Sequence, residues 1–517
     1  MIYKKYIRAI NLISVIVIVI MLNLITANSL MKIDLTKNKI YTLSEGTHHI
    51  INEIPGKILI KVIVSSDIPS QYNDRIDYFA NLLKEYKELS KGKITLEIIS
   101  SDNTRELGEI AELYGIPPIQ INAIEENNLQ IKRVFMGAVF LYRDKKETIP
   151  VIANLNNMEY EISAAIKRIT REDKPKLAII NAGNSANMRQ GLSILQRALT
   201  KDYSVENIYL GNKNLKINKE IDTALLVSPQ ISLTDNVTYA LEQFLMSGKN
   251  LILALDIVQG SPQRGFASSL DTGLEDFLEK NGIHLSKKII YDLNASIINI
   301  SNRSGGFSIS TSLRYYFFPQ ISNFNKEHPI TKDLSSVNLI YPTPIIIKND
   351  NETNSDLKYT VLAKSSENSG LESQPYNIML EREFKMEDFN KESQIVAILA
   401  EGKFKNTFDK PLKGLENNFK KNGTGKLVLI SDGDFIKDQY VSSGNNLDFI
   451  LNTIDYLAAE PELTLIRGKS FTYNPITLKN ITLQNILKIT SIFLPIVLAF
   501  LIIIIVTFSL KKRRLPK

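Results

Sequence analysis

The sequence predicts an α/β protein: two α/β domains on the outer side of a membrane, carried between two transmembrane helices. Three observations lead there. Residues 10–30 and 489–510 are uncharged, apolar runs with Lys and Arg at their outer ends. The chain between them alternates strand-like and helix-like hydrophobic periods, as α/β folds do. Its strands also change character near Lys174-Pro175. Before that point they alternate apolar and polar; after it they are continuously apolar, the mark of a sheet covered on both faces.

The membrane expectation rests on length and charge. A helix over 489–510 reaches about 33 Å at about 1.5 Å per residue, enough for a hydrocarbon core of about 30 Å. Lys511, Lys512, Arg513, Arg514 and Lys517 follow it, and Lys4, Lys5 and Arg8 precede the first run. Positive flanks at both outer ends place both termini in the cytoplasm. Residues 31–488 then lie on the far side, periplasmic in a two-membrane bacterium. Residues 10–30 could also be a cleaved signal peptide, with Ala27-Asn28-Ser29 as a poor cleavage site. Pro495 bends the second run where a partner helix could pack.

The formal charge of +7 does not indicate a nucleic-acid partner. The two ends carry eight positive charges and no acid, so residues 31–488 are left at −1. The basic excess belongs to the membrane flanks. The chain has no Cys, which removes disulfides, thiolate metal sites, cysteine nucleophiles and lipoprotein acylation. No cofactor and no metal site are expected.

The first domain is expected over 31–173. Ser44 caps a helix over 45–53. Residues 57–65 form an alternating strand. Residues 72–90 form an amphipathic helix with Ile76, Phe79, Leu82, Leu83 and Tyr86 on one face. A strand over 93–100 and a helix over 104–114, stopped at Gly115 before Pro117-Pro118, come next. Residues 133–142 and 147–152 read as a hairpin, and 159–171 as a helix. After the opening helix the order is β-α-β-α-β-β-α, thioredoxin-like but without any CxxC.

The second domain is expected over 174–470. Strands over 176–181, 203–209, 223–228 and 250–256 alternate with helices over 188–200 and 234–247, which argues a doubly wound sheet of flavodoxin-like or amidotransferase-like type. Residues 272–281 and 288–291 continue it. From about 294 to 393 the alternation fails, and an irregular, partly antiparallel insertion is expected. Strands over 394–400 and 425–431 resume the sheet, and 447–459 is helical. A linker over 471–488, the second anchor and a basic tail over 511–517 close the chain.

The ends of parallel strands are where such sheets bind ligands. Asn184 and Ser185, Asp256 and Gln259, and Asp432 and Asp434 all follow apolar strands. If they converge, they line one cleft for a small molecule or glycan; otherwise they are ordinary βα loops. Ser431-Asp432-Gly433-Asp434 carries two carboxylates around a glycine, which could hold a hard cation or simply cap a turn. No GxxxxGK[ST] cradle is present, so ATP hydrolysis would belong to a partner. His48, His49, His284 and His328 stand outside any Ser-His-acid pattern. Tyr315-Tyr316-Phe317-Phe318 reads as buried core in preference to an exposed partner surface.

Several segments together resemble one family. They are Asp34-Leu35-Thr36 with Tyr41-Thr42-Leu43-Ser44, Tyr86-Lys87-Glu88-Leu89-Ser90 with Gly92-Lys93-Ile94, and Gly137-Ala138-Val139. They continue with Tyr160-Glu161-Ile162-Ser163-Ala164-Ala165-Ile166, Lys174-Pro175-Lys176, Leu427-Val428-Leu429-Ile430-Ser431-Asp432-Gly433-Asp434-Phe435 and Asn446-Leu447-Asp448-Phe449-Ile450-Leu451-Asn452. In order and spacing they resemble the GldG-like auxiliary proteins of ABC transporters, named for gliding motility. The resemblance implies a non-catalytic, extracytoplasmic, substrate-handling subunit of an ABC-2-type complex. Its expected partners are a permease, an ATPase subunit, membrane lipid and a cell-envelope ligand. A freestanding glycan-binding or hydrolytic envelope protein, or a structural scaffold, is the alternative.

Overall fold

The computed structural model describes residues 42–125, 128–152, 158–211, 215–262, 264–304, 307–348, 356–412, 419–458, 462–463 and 466. All lie in one of two compact units, Met1–Ser470; the other is Phe471–Lys517. Both expected membrane segments, the linker and the basic tail fall outside the described residues. Among the described residues no helix is long and apolar enough to cross a membrane. The architecture is mixed α/β.

A four-stranded sheet comes first, with β1 (Ile58–Ser65), β2 (Ile94–Ser101), β3 (Met136–Tyr142) and β4 (Lys145–Ile149) in the order β2-β1-β3-β4. β1 and β2 are parallel, so a helical crossover must join them. Helix Ser70–Leu89 is that crossover, and Phe79, Leu82, Leu83 and Tyr86 bury its expected face. β3 runs antiparallel to β1 and forms a hairpin with β4, turned at Arg143 with φ +54°. The strand expected over 133–142 is broken. Phe135 leaves the ladder, where its N–H donates to Ser65 Oγ at 3.0 Å and its C=O accepts from Ser65 N at 2.9 Å. The residues before it pair instead in a separate hairpin, Ile119–Glu125 with Asn128–Val134.

The central sheet has eight strands: β5 (Lys176–Asn181), β6 (Ser204–Tyr209), β7 (Thr223–Val227), β8 (Asn250–Ala254), β9 (Asn323–Phe324), β10 (Leu357–Lys364), β11 (Ile395–Lys405) and β12 (Asn422–Ile430). Their order is β9-β10-β11-β12-β8-β7-β5-β6. Five strands from β12 to β6 are parallel. Alternate residues of each inner strand enter different cores. Leu177, Leu225, Ile252 and Val428 join one, while Ala178, Leu226, Leu253 and Leu429 join the other. Burial on both faces is why these strands read as unbroken apolar runs.

The parallel part of the doubly wound sheet ends at β12, and the remaining strands pair antiparallel. β11 is antiparallel to β12, β10 to β11 and β9 to β10. Two of these strands come from within 294–393, the stretch expected to be irregular and partly antiparallel. The same stretch also builds a three-stranded antiparallel sheet from Ala295–Ser304, Phe307–Ile321 and Val337–Asn338, and its strands Ile345–Ile347 and Ser369–Glu372 pair with Ile283–Leu285 and Ile289–Asp292. Tyr315, Phe317 and Phe318 are buried in the first core, as the sequence suggested. The helix expected over 188–200 is shorter, Ser193–Leu199, because Asn187 and Gln190 close a turn ahead of it.

Candidate functional site

Three parallel strands end at one place. β7 ends at Ser228, which takes a left-handed φ of +52° and donates its N–H to Ala254 O at 2.8 Å. β8 runs on into Asp256. β12 runs into Ser431-Asp432-Gly433-Asp434, and Leu255 N donates to Ile430 O at 3.0 Å. The ends are pressed together at Gly433. A Cβ there would lie 2.6 Å from Ala254 O and 2.9 Å from Ser228 N, so only glycine fits.

That crossing gathers three carboxylates. Asp256 accepts the Gly433 N–H through Oδ1 at 2.6 Å and the Ser228 hydroxyl through Oδ2. Asp432 accepts Asp434 N through Oδ1 at 2.7 Å and Ile340 N through Oδ2 at 2.6 Å. Asp434 accepts from Ser228 Oγ at 3.3 Å and from the Lys437 ammonium. Asp432 is 0% exposed and Asp256 6%, while Asp434 is half-buried.

Three acids around one lysine cannot all ionise cheaply. Burial, followed by the charge of Asp434, pushes Asp256 up to about 7. Burial and the charges of Asp256 and Asp434 hold Asp432 well above the usual carboxylate range. Burial works against the charge of Lys437, but Asp434 and Asp256 outweigh it and raise its pKa. Lys437 is the cluster's cation. Among the described residues no group of three or more His, Asp or Glu is placed to hold a metal ion.

Asn446 extends the cluster into a frame. Its Oδ1 accepts Asn338 N at 2.8 Å, and its Nδ2 donates to Asn338 O, Phe435 O and Tyr440 O at 3.0–3.1 Å. Asn445 accepts Ser335 N and Ser336 N, at 3.0 and 3.2 Å. Asp432 and these two asparagines together fix the segment 335–340 over the end of the sheet. Asp438 reaches the other way and accepts Ser193 N, Ser193 Oγ and Ile194 N at the start of helix Ser193–Leu199. A cavity of about 550 Å³ opens on the far side of Ile340 and Tyr440.

Of the residues predicted from sequence, Asp256, Asp432 and Asp434 come together. Ser185 is buried and closes its own turn, with its hydroxyl donating to Ile180 O and accepting from Ala182 N, both at 3.1 Å. Asn184 is exposed on that turn with φ +56°. Gln259 lies in the hairpin after β8, and its Nε2 is buried with no hydrogen-bond partner among the described residues. Sequence reasoning passed over Ser228, Lys437 and the Ile340 amide. Ser228 carried the same signal as Asp256, a polar residue straight after an apolar strand. Lys437 stands three residues from Asp434, within reach across one turn. Ile340 carried no signal, since it contributes only its backbone. His328 is a turn residue: its Nδ1 accepts Ile330 N at 3.3 Å, and burial lowers its pKa.

Comparison with known proteins places this frame in a family. Residues 174–453 match the family described as ABC-type uncharacterized transport system, and residues 37–141 match a domain of unknown function. The chain belongs to that transport-system family, in agreement with its GldG-like sequence features. An uncharacterized protein of Borreliella burgdorferi is 23% identical over 448 residues, spanning 85% of this chain and 84% of the relative. Among solved structures, the mmIFT52 N-terminal domain aligns with TM-score 0.34 and 11% identity, covering 55% of this chain and 97% of that one. A ThuA-like protein from Parabacteroides merdae aligns with TM-score 0.27 and 8% identity, covering 59% and 94%.

Proposed function

We propose that the protein is a non-catalytic, substrate-handling subunit of an ABC-2-type transport complex. The family match over 174–453 is the observation that carries this reading, because it spans the carboxylate cluster, its frame and the adjoining cavity. The chemistry of the cluster agrees. Both oxygens of Asp432 are taken by backbone amides, and those of Asp256 by an amide and a hydroxyl. Such carboxylates are engaged by the chain's own amides and hydroxyl, which suits bracing a surface. In this reading residues 10–30 and 489–510 anchor the chain beside permease helices, with both termini cytoplasmic. A thioredoxin-like module and a larger flavodoxin-like or amidotransferase-like module face the cell envelope. ATP is hydrolysed by a partner, since the sequence holds no phosphate cradle.

The test is a mild-detergent pull-down of tagged full-length protein, beside a chain lacking 489–517. Permease and ATPase are expected with the full chain only. Recovery of neither, from membranes shown to contain both, overturns the proposal and turns attention to a freestanding glycan-binding or hydrolytic protein or a scaffold.

A further inference from the structure

The cavity of about 550 Å³ is walled on one side by the three-stranded sheet and on another by the loop 439–443, which follows the carboxylate cluster. An irregular pairing shapes the sheet side. Ala295 pairs with Pro319 and Ile297 with Arg314, so Ser296 alone spans the gap that residues 315–318 span in the other strand. Bulges bend a strand, re-aim side chains and gather beside functional sites. Phe318, inside this bulge, and Ser296, opposite it, both line the cavity.

The other walls are held from behind by the buried frame. Asn446 is fully buried and bonds both main-chain groups of Asn338 and the carbonyl of Tyr440. Asp432 holds the amide of Ile340. Asn338, Ile340 and Tyr440 all line the cavity, so its lining stands on backbone fixed in advance of any ligand. Two lining atoms, Ser296 Oγ and Asn338 Oδ1, are buried with no hydrogen-bond partner among the described residues. A polar atom left so weakens a fold, and binding sites are where proteins keep such atoms.

The chemistry of the lining selects a ligand class. Four carboxamides line the cavity, Asn299, Gln320, Asn338 and Gln439. The hydroxyls of Ser296, Tyr440 and Ser443 join them. Carboxamides and hydroxyls each donate and accept. Among the described residues no acid lines the cavity, and Arg314 is its one charged side chain. A cation finds no counter-charge there, and a ligand rich in phosphate finds a single one. A wholly apolar ligand would strip water from the amides and return no hydrogen bond. The lining instead matches a ligand with many neutral groups that both donate and accept, and with an apolar face besides. Phe318 and Tyr440 stand edge to face, ring centroids 6.1 Å apart, and offer an apolar strip to that face. A sugar ring has this make-up, with hydroxyls around its edge and C–H bonds on its faces.

We infer that this cavity binds a short saccharide, uncharged or carrying a single carboxylate toward Arg314. Its volume lies within the range of small-molecule sites, about 300–1,000 Å³. The cluster of Asp256, Asp432 and Asp434 lies outside the lining and serves it only by fixing Ile340. As cargo of a transport complex the saccharide rests on the reading above; as the ligand of this cavity it is tested on its own.

The test uses full-length protein in a detergent without a sugar headgroup. Maltose, cellobiose, N,N′-diacetylchitobiose and cellobiouronic acid are titrated by saturation-transfer NMR, with trialanine as the peptide comparison. Saturable binding of at least one disaccharide is expected, and none of trialanine. Gln439→Leu, at an exposed position, and Asn338→Leu should each weaken that binding at least tenfold. Asn338→Leu should melt no lower than the native protein, because it deletes an unpaired acceptor and keeps the main-chain bonds to Asn446. Arg105→Gln, exposed on helix Thr104–Leu113, should leave binding unchanged. Binding of no disaccharide overturns the inference. So does disaccharide binding that both leucine variants leave intact, or trialanine binding that they abolish, which would make the cavity a peptide site. None of these outcomes alters co-purification with a permease, so the two readings fail separately.

Discussion

The carboxylate of Asp432 accepts the backbone N–H of Ile340 at 2.6 Å, across 92 residues of chain. The bond ties the turn after the last parallel strand to a segment that belongs to another sheet. Its other oxygen holds Asp434 N. Asp432→Ala leaves the buried Ile340 amide without an acceptor, at about 1–3 kcal/mol, and the half-buried Asp434 amide as well, at less. The melting temperature of the variant is expected to fall clearly. Protease cleavage is expected to rise within 335–341, because that segment loses its hold on the sheet. A variant with wild-type melting and an uncut 335–341 segment would show that Asn445 and Asn446 hold the segment unaided.

The pH dependence of stability follows from two buried acids. Burial, with the charge of Asp434 second, raises Asp256 to about 7. Burial raises Glu242 to about 7 as well, against the hydrogen bond from Thr407 N at 2.7 Å. A carboxyl with a raised folded pKa binds its proton more tightly folded than unfolded. Its contribution to stability is complete below the unfolded value of about 4 and is lost as pH rises through about 7. The melting temperature of the native protein should therefore fall between pH 4 and 7 through these groups. Asp256→Asn and Glu242→Gln should each flatten that slope, and the double variant should flatten it further. Parallel curves for the native and double-variant proteins would refute the assignment.

Gly433→Ala tests the pressed strand ends. The added methyl group meets Ala254 O and Ser228 N inside the closest normal contact distance, and both are backbone atoms. Neither can move without opening β7 or β8. Overpacking of this kind costs about 1–3 kcal/mol, and the backbone partners put this site near the upper end. Gly248→Ala is a fair control. It has a left-handed φ of +90° but open space around a Cβ, so its cost is strain alone. Thermal melts of the two should separate contact from strain, with Gly433→Ala the less stable.

The parallel strands were legible because burial on both faces leaves a continuous apolar run, as in Leu225, Leu226 and Val227. The sequence left open whether Asp256, Asp432 and Asp434 meet, but it marked each as a polar residue following an apolar strand. A sheet that twists regularly brings the ends of neighbouring strands together, and each acid follows such a strand. An antiparallel portion within 294–393 was legible, but its joining the central sheet through an antiparallel β11 was not. β11 opens with an apolar run, Ile395 to Ala400, that reads the same whichever way it points, because strand direction is set by connections and leaves no mark on composition. Ile340 was hidden for a different reason: its chemistry is in the backbone, which every residue shares. The quoted family motifs acquire physical roles as well. Asp432 and Asn446 frame one segment, and Ser44, Tyr86 and Ser163 meet in the first α/β half around Glu159.

That meeting gives a last prediction. Glu159 Oε1 accepts Ser44 N at 2.6 Å, Ser44 Oγ at 2.7 Å and Thr47 Oγ1 at 2.6 Å. Tyr86 OH donates to Glu159 O at 3.0 Å and bonds Ser163 Oγ at 2.6 Å. Ser44 is also the N-cap of helix Glu45–Glu53, accepting Thr47 N at 3.3 Å. One carboxylate oxygen thus pins the cap of the first described helix to helix Met158–Thr170, 115 residues later. Glu159→Ala strands these donors in a buried setting, whereas Glu159→Gln keeps an acceptor oxygen and loses the charge. Hydrogen bonds to charged acceptors are worth about 1.5–3 kcal/mol against about 1 for neutral ones. The expected order of stability is native, then Gln, then Ala. Hydrogen exchange should rise first in 45–53, because that helix loses its cap before the four-stranded sheet is disturbed. Uniform exchange across 45–169 in the Ala variant would instead mean that Glu159 holds up the whole half and that helix Glu45–Glu53 has no independent opening.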